Sequence, residues 1–206
     1  MNGISYQKLT DQNFRVDSLD DFVRHQEVTE CWRRVDGRLV LVPVSFVEDW
    51  DIDKRRSVAG EILSCIKDHG FAFGAFCGGR TVGYICVSGK LLGSEGQYIE
   101  LILFHVSEPF RRMGIGRELF RLACEEARRA GAKKLYISAH SSKESQSAYR
   151  SLGCVEAEEI NQEIAENEPC DIQMEYQLGE RSFRDYKETH PGGIQTRPRI
   201  SVAGLS

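Results

Sequence analysis

Between Phe110 and Arg117 the chain reads Arg111-Arg112-Met113-Gly114-Ile115-Gly116, two glycines one residue apart with arginines on both sides. Glycines let the main chain approach a ligand closely, and the free N–H groups at a helix start carry a partial positive charge, so such a turn can hold a phosphate. What the run lacks narrows whose phosphate that is. A nucleoside-triphosphate loop needs Gly-x-x-x-x-Gly-Lys-Ser/Thr; the nearest approach, Gly83 to Lys90, has one intervening residue too many and continues into Leu91. The dinucleotide fingerprint Gly-x-Gly-x-x-Gly fails as well, because Leu119 stands where the third glycine would be.

The turn must be carried by regular elements. Tyr98 to Val106 reads as a strand leading through Ser107-Glu108-Pro109-Phe110 into the turn. A helix follows with Ile115, Leu119, Ala123 and Ala127 on one stripe, ended by Gly131, and Lys134 to Ala139 supplies the next strand. Strand, glycine turn, helix, strand is the pattern of a parallel crossover in an α/β sheet. Upstream, Phe71 to Cys77 and Thr81 to Ser88 form a hairpin about Gly78-Gly79-Arg80. Downstream, Ser141-x-x-Glu144 fits a capping box for a short helix with Ala148, Tyr149 and Leu152, stopped by Gly153; strands follow at 154–157 and 172–178. In the first 70 residues a helix is expected after Asp17 or Ser18, carrying Leu19, Phe22 and Val23. A hairpin is expected at Val35-Asp36-Gly37-Arg38, and a helix with Val58, Ala59, Ile62, Leu63 and Ile66 that Gly70 closes.

Arg111-x-x-Gly114-x-Gly116, with the strand and the Val106-to-Phe110 lead-in before it, resembles the signature of the GNAT superfamily of N-acyltransferases, Arg/Gln-x-x-Gly-x-Gly/Ala. The family's later motif, Asn-x-x-Ala-x-x-Phe-Tyr-x-x-x-Gly-Phe, is matched by Ser142-x-x-Ser145-x-x-Ala148-Tyr149-x-x-x-Gly153-Cys154, which keeps the spacing, the Tyr and the Gly. The resemblance runs from about Phe71 to Leu178. It implies an α/β fold with a mixed central sheet flanked by helices and a splayed strand pair that binds acyl-CoA. The expected organisation is a GNAT domain over 1–178, with acceptor-side helices and a hairpin in 1–70 and the acyl-CoA-binding core in 71–178, followed by a tail over 179–206.

The resemblance further implies acetyl-CoA as acyl donor, its pyrophosphate held by the turn at Arg111, Arg112, Met113, Gly114, Ile115, Gly116 and Arg117, its pantetheine arm by the backbone at His105 and Val106, and a contact from Ser142, which also reads as a helix cap. No metal is implied. An amine arrives protonated and needs a base. Glu100 stands where family members often carry one, and period two places it on the face of Ile102, Phe104 and Val106. A glutamate opening an apolar strand also reads as a solvated edge residue, and His105, on the opposite face, as a core or loop histidine. Tyr149 fits the family's proton donor to the departing thiolate, and equally a core aromatic beside Leu152. Glu48, Asp49, Asp51 and Asp53 around Trp50 suit a cationic acceptor, or a helix start balanced by Lys54, Arg55 and Arg56.

The expected reaction is therefore acetyl transfer to a primary amine of a small molecule or peptide, the alternative being an acyl-CoA-binding regulatory module without catalysis. A homodimer is usual for the family. The 206 residues suit one domain with an appendage, and 41% hydrophobic residues suffice for its core. A net charge of −4 argues against a broad nucleic-acid-binding face. No apolar run is long enough to span a membrane and no secretory signal opens the chain, so a cytoplasmic protein is expected. The seven cysteines are scattered, odd in number and without Cys-x-x-Cys, which reads as buried thiols.

Overall fold

The structure, a computed structural model, describes residues 3–179. Residues 180–206, nearly all of the stretch read as a tail, lie outside the described residues. Seven strands form one sheet: β1 (Ser5–Lys8), β4 (Phe71–Cys77), β5 (Arg80–Leu92), β6 (Tyr98–Val106), β7 (Lys134–Ala139), β8 (Val155–Glu156) and β9 (Ile172–Gln177). Their order is β1-β4-β5-β6-β7-β9-β8, and among these pairs only β6–β7 is parallel. This is the mixed α/β sheet expected, and its parallel pair is joined by the helix of the crossover.

That helix, α2 (Ile115–Arg129), buries Ile115, Leu119, Phe120, Ala123, Cys124 and Ala127. The stripe packs on one sheet face in a core with Ile85, Val87, Leu101, Leu135 and Ile137. On the other face α1 (Ile52–Lys67) covers a second core of Leu9, Phe14, Leu19, Phe22, Tyr84 and Cys86, to which it contributes Val58, Ala59 and Ile62. Asp51 caps α1 by accepting from the Lys54 N–H at 2.8 Å. No helix among the described residues is long and apolar enough to cross a membrane.

The N-terminal third differs from expectation in three ways. The residues after Asp17 form successive turns, not a helix: Ser18, Asp20 and Phe22 each bond back three residues. The Asp20 carbonyl is taken by Arg55 at 2.5 Å and its carboxylate by Arg56 at 2.8 Å, so tertiary partners replace the helical i→i−4 bond. The hairpin is much longer than the signal around it, β2 (His25–Val35) against β3 (Arg38–Asp49), with Asp36 at φ 49° and Gly37 at φ 78° in its turn. Glu48 and Asp49 are therefore the end of a strand rather than the start of a helix. Two short elements carry too little pattern to be anticipated, β1 and α4 (Gln162–Asn167). In α3 (Lys143–Ser151) the cap is Ser142 rather than Ser141, and its hydroxyl accepts from the Ser145 N–H at 3.3 Å.

The β2–β3 hairpin leaves the main sheet and docks on the turn between β7 and α3. Trp32 N–H donates to the Ser141 carbonyl at 2.8 Å, Arg33 to the Ser141 hydroxyl at 2.5 Å, and Gln26 to the Ser142 hydroxyl at 3.3 Å.

Candidate active site

β6 and β7 pair only at Tyr98–Lys134, Ile99–Leu135 and Glu100–Tyr136. Beyond that point the strands diverge, while β6 stays bonded to β5 and β7 to β9. The main-chain groups on one edge of residues 101–106 thus open into a V-shaped gap, the kind of exposed edge to which an extended amide chain can bond.

One residue of β6 breaks its alternation. Cys86 faces Leu103 and Val87 faces Leu101, so Ile102 is a bulge, and it is 41% exposed. Leu101, Phe104 and Val106 all pack on the α2 side, whereas Leu103 packs on the α1 side. Glu100 therefore shares the α1 side with Leu103 and His105. The period-two expectation that Glu100 lies with Ile102, Phe104 and Val106, and opposite His105, is corrected by the bulge.

At the end of β6 a single 3₁₀ turn, Glu108–Phe110, leads into the glycine turn. Arg112 (φ 65°) and Gly114 (φ 82°) are both left-handed, and no side chain caps α2, whose first N–H groups point out of its N-terminus. Arg111 does a different job. Its N–H is taken by the Glu108 carbonyl at 3.1 Å and its Nε donates to the Val106 carbonyl at 3.2 Å, pinning the turn to the strand. The main chain free to receive a phosphate thus begins at Arg112. Met113 is 61% exposed, and the Gly116 Cα lies close enough to β6 that a Cβ there would stand 3.4 Å from the Phe104 ring.

Glu100 is half-buried at the point where the strands part. Burial first, and then Glu168 and Glu163, hold its carboxyl above the ordinary carboxylate range. Tyr149 stands across the gap on α3, its ring 6.2 Å from that of Phe104, and burial keeps its phenol firmly protonated. The two lie on opposite sides of the V. Ser142 is fully buried, its hydroxyl already accepting from the Ser145 N–H and from Gln26. The expected cofactor contact is replaced by a capping and docking role, because the hairpin covers it.

His105 is half-buried and packs as a core histidine among aromatic rings. Its ring lies 5.0 Å from Trp50 and 5.7 Å from Tyr84, and burial together with Arg24, Arg111 and Lys54 lowers its pKa to about 3. The acidic run divides. Asp49 pairs with His25 at 3.3 Å, Asp51 caps α1, and Glu48 turns inward to Arg24 and to His140, whose Nε2 is 3.5 Å away. The Trp50 ring is occupied by the protein's own cations, Arg24 at 5.7 Å and Lys54 at 6.0 Å.

Two acidic residues have no counterpart in the sequence reading. Asp171, just before β9, and Glu168, at the C-cap of α4, are tied by a backbone bond of 3.0 Å and by their side chains. Burial, Glu168 and Glu48 push the Asp171 carboxyl up to about 7 against the opposing pull of Arg33. Ile172 pairs with Ala139, so Asp171 sits level with the open end of the V. Nothing in the local pattern marks it; the residues that shift it come from β2, β3 and α4.

A family model described as the acetyltransferase (GNAT) family matches residues 26–154. No curated protein sequence matches the chain. Among solved structures, nourseothricin acetyltransferase is similar with a TM-score of 0.64 at 18% identity, over 85% of this chain and 99% of that one. A protein of Bacillus anthracis str. Ames, assigned as a streptothricin acetyltransferase and solved with acetyl coenzyme A, gives 0.61 at 13% over 85% and 98%. PaiA N-acetyltransferase of Thermoplasma acidophilum, solved with coenzyme A, gives 0.54 at 16% over 85% and 99%. At these identities the likeness is one of fold.

Proposed function

The chain belongs to the GNAT acetyltransferase family, and from that premise we propose that it moves an acetyl group from acetyl-CoA directly to a primary amine. The observation that carries this is the V between β6 and β7 opening onto the uncapped start of α2. A slot of free main-chain groups and a positive phosphate cradle, end to end, fit a long amide-bearing arm that finishes in a diphosphate. Solved neighbours that hold coenzyme A or its acetyl ester share this fold.

Acetyl-CoA supplies the activated thioester; the chain supplies position and protons. The N–H groups of residues 112–117 take the diphosphate, and Arg111 holds that turn against Val106. Glu100 accepts the proton of the incoming ammonium, directly or through water, freeing the lone pair that attacks the carbonyl carbon. Main-chain N–H groups of the splayed strand face the developing oxyanion. The Tyr149 hydroxyl gives its proton to the departing sulfur, so that CoA leaves as the thiol, and the second proton shed by the nitrogen as it becomes an amide returns through water to the phenolate. The acidic flank of Glu48, Glu168 and Asp171 favours a cationic acceptor.

Two measurements test the reading: calorimetric titration with CoA and acetyl-CoA, and release of CoA, corrected for hydrolysis, with a panel of amines. Micromolar binding with amine-dependent release is expected. Absence of binding refutes the reading, and binding without turnover on any acceptor leaves the non-catalytic module.

A further inference from the structure

Among the described residues five side-chain nitrogen and oxygen atoms are buried without a hydrogen-bond partner, and three of them belong to two residues beside His105: Arg24 Nε, Arg24 Nη1 and the Tyr84 hydroxyl. Arg24 is 8% exposed in its side chain and Tyr84 not at all. A native interior pairs nearly all such groups, and one left over is costly enough to demand a reason. Arg24 uses only Nη2, on Glu48. Its remaining N–H groups and the Tyr84 hydroxyl lie beside the rings of Trp50 and His105, at the strand end that flanks the V.

Charge in the cleft has two sides. Arg24, Arg111 and Lys54 gather about His105 at the β6 side, Glu168 and Asp171 stand at the β7–β9 side, and Glu48 bridges the two through its contacts with Arg24 and His140. A simple amine uses only the acidic side. Building on the acetyltransferase reading, we propose that the acceptor is a free amino acid whose carboxylate docks on an unpaired N–H of Arg24 and on the Tyr84 hydroxyl, with the reacting amine turned toward the acidic side. A guanidinium N–H and a phenol hydroxyl each donate to one oxygen of a carboxylate, and the aromatic walls keep water from competing. None of the three atoms meets solvent, so the half-buried indole of Trp50, which lies on both Arg24 and His105, shifts to admit the group.

The test compares amines that differ only in a carboxylate, lysine against cadaverine and glutamate against 4-aminobutyrate, with the full chain at saturating acetyl-CoA. At least one amino acid should exceed its decarboxylated partner in kcat/KM by roughly tenfold to a hundredfold, mostly through KM, the range expected for losing hydrogen bonds to a charged group. Tyr84→Phe and Arg24→Lys should each bring the ratio toward one. A binding readout that needs no turnover runs in parallel: the chain has two tryptophans, so in Trp32→Phe with CoA bound the amino acid, but not the amine, should change Trp50 fluorescence. Equal or better use of the decarboxylated amines overturns the inference and leaves acetyl transfer intact. If no amine of either kind turns over, a fluorescence trace indifferent to the carboxylate overturns it, whereas failure to bind CoA at all overturns the functional reading instead.

Discussion

The Tyr149 hydroxyl and the Glu100 carboxyl are pushed the same way by burial, and the proposed roles need that push: an acid that keeps its proton until the thiolate leaves, and a base that holds one more tightly than a solvated carboxylate. Tyr149→Phe should lower kcat roughly tenfold to a hundredfold, while the CoA dissociation constant measured by calorimetry stays within about twofold. Unchanged turnover would remove Tyr149 from the mechanism. Glu100→Gln should lower kcat/KM about a hundredfold at neutral pH. Because the base works ionised and its folded pKa is raised, the wild-type rate should climb with pH through a limb above the usual carboxylate range, and that limb should vanish in the variant. Tyr149 is singled out in sequence by type and spacing, and Glu100 by its place on the strand before the glycine turn, but not the face that Glu100 takes. Glu48 is visible only as one of four acids around Trp50, and Asp171 not at all, since the groups that shift it, Glu168, Glu48 and Arg33, are distant in sequence or belong to other elements.

Among the elements, periodic pattern served well where one face is buried and poorly where tertiary partners intervene. The stripe Ile115, Leu119, Ala123, Ala127 is buried as a helix face, and the strand before it is a strand. The bulge at Ile102 has no sequence mark, because an inserted residue in an apolar run looks like any other, yet it decides which side Glu100 faces. The turns after Asp17 carried a good cap and still are not helical, since Arg55 and Arg56 claim Asp20. Two glycines hold the cradle for different reasons. Gly114 sits at φ 82° with open space around it, so Gly114→Ala should cost about 1–2 kcal/mol through the backbone alone and weaken CoA binding several-fold in calorimetry. At Gly83 a Cβ would stand 3.0 Å from Leu119 and 3.1 Å from Ile115, so Gly83→Val should lift the start of α2 off β5. It should lower Tm and CoA affinity together, and a variant that loses neither would show that this close approach does not set the cradle.

At the scale of the whole molecule, two partly buried groups give folding stability opposite dependences on pH over nearly the same range. His105 is lowered from near 6.5 to about 3, so between those values the unfolded chain takes up a proton that the fold refuses. Its contribution is present above pH 6.5 and is lost as pH falls toward 3, by up to about 4 kcal/mol. Asp171 is raised from 3.8 to about 7, so the fold keeps a proton that the unfolded chain gives up. Its contribution is present below pH 3.8 and is lost as pH rises through 7. The groups facing Asp171 are Glu168 from α4, Glu48 from β3 and Arg33 from β2. Single substitutions separate the two. Thermal unfolding of Asp171→Asn, followed from pH 7.5 to 4.5, should lose more Tm on acidification than wild type, because the compensating carboxyl is gone. His105→Phe should lose less, by roughly 5 °C or more over that range. If both variants track the wild-type curve in parallel, neither group is buried in the folded state in the form described, and the two-sided charge layout of the cleft goes with them.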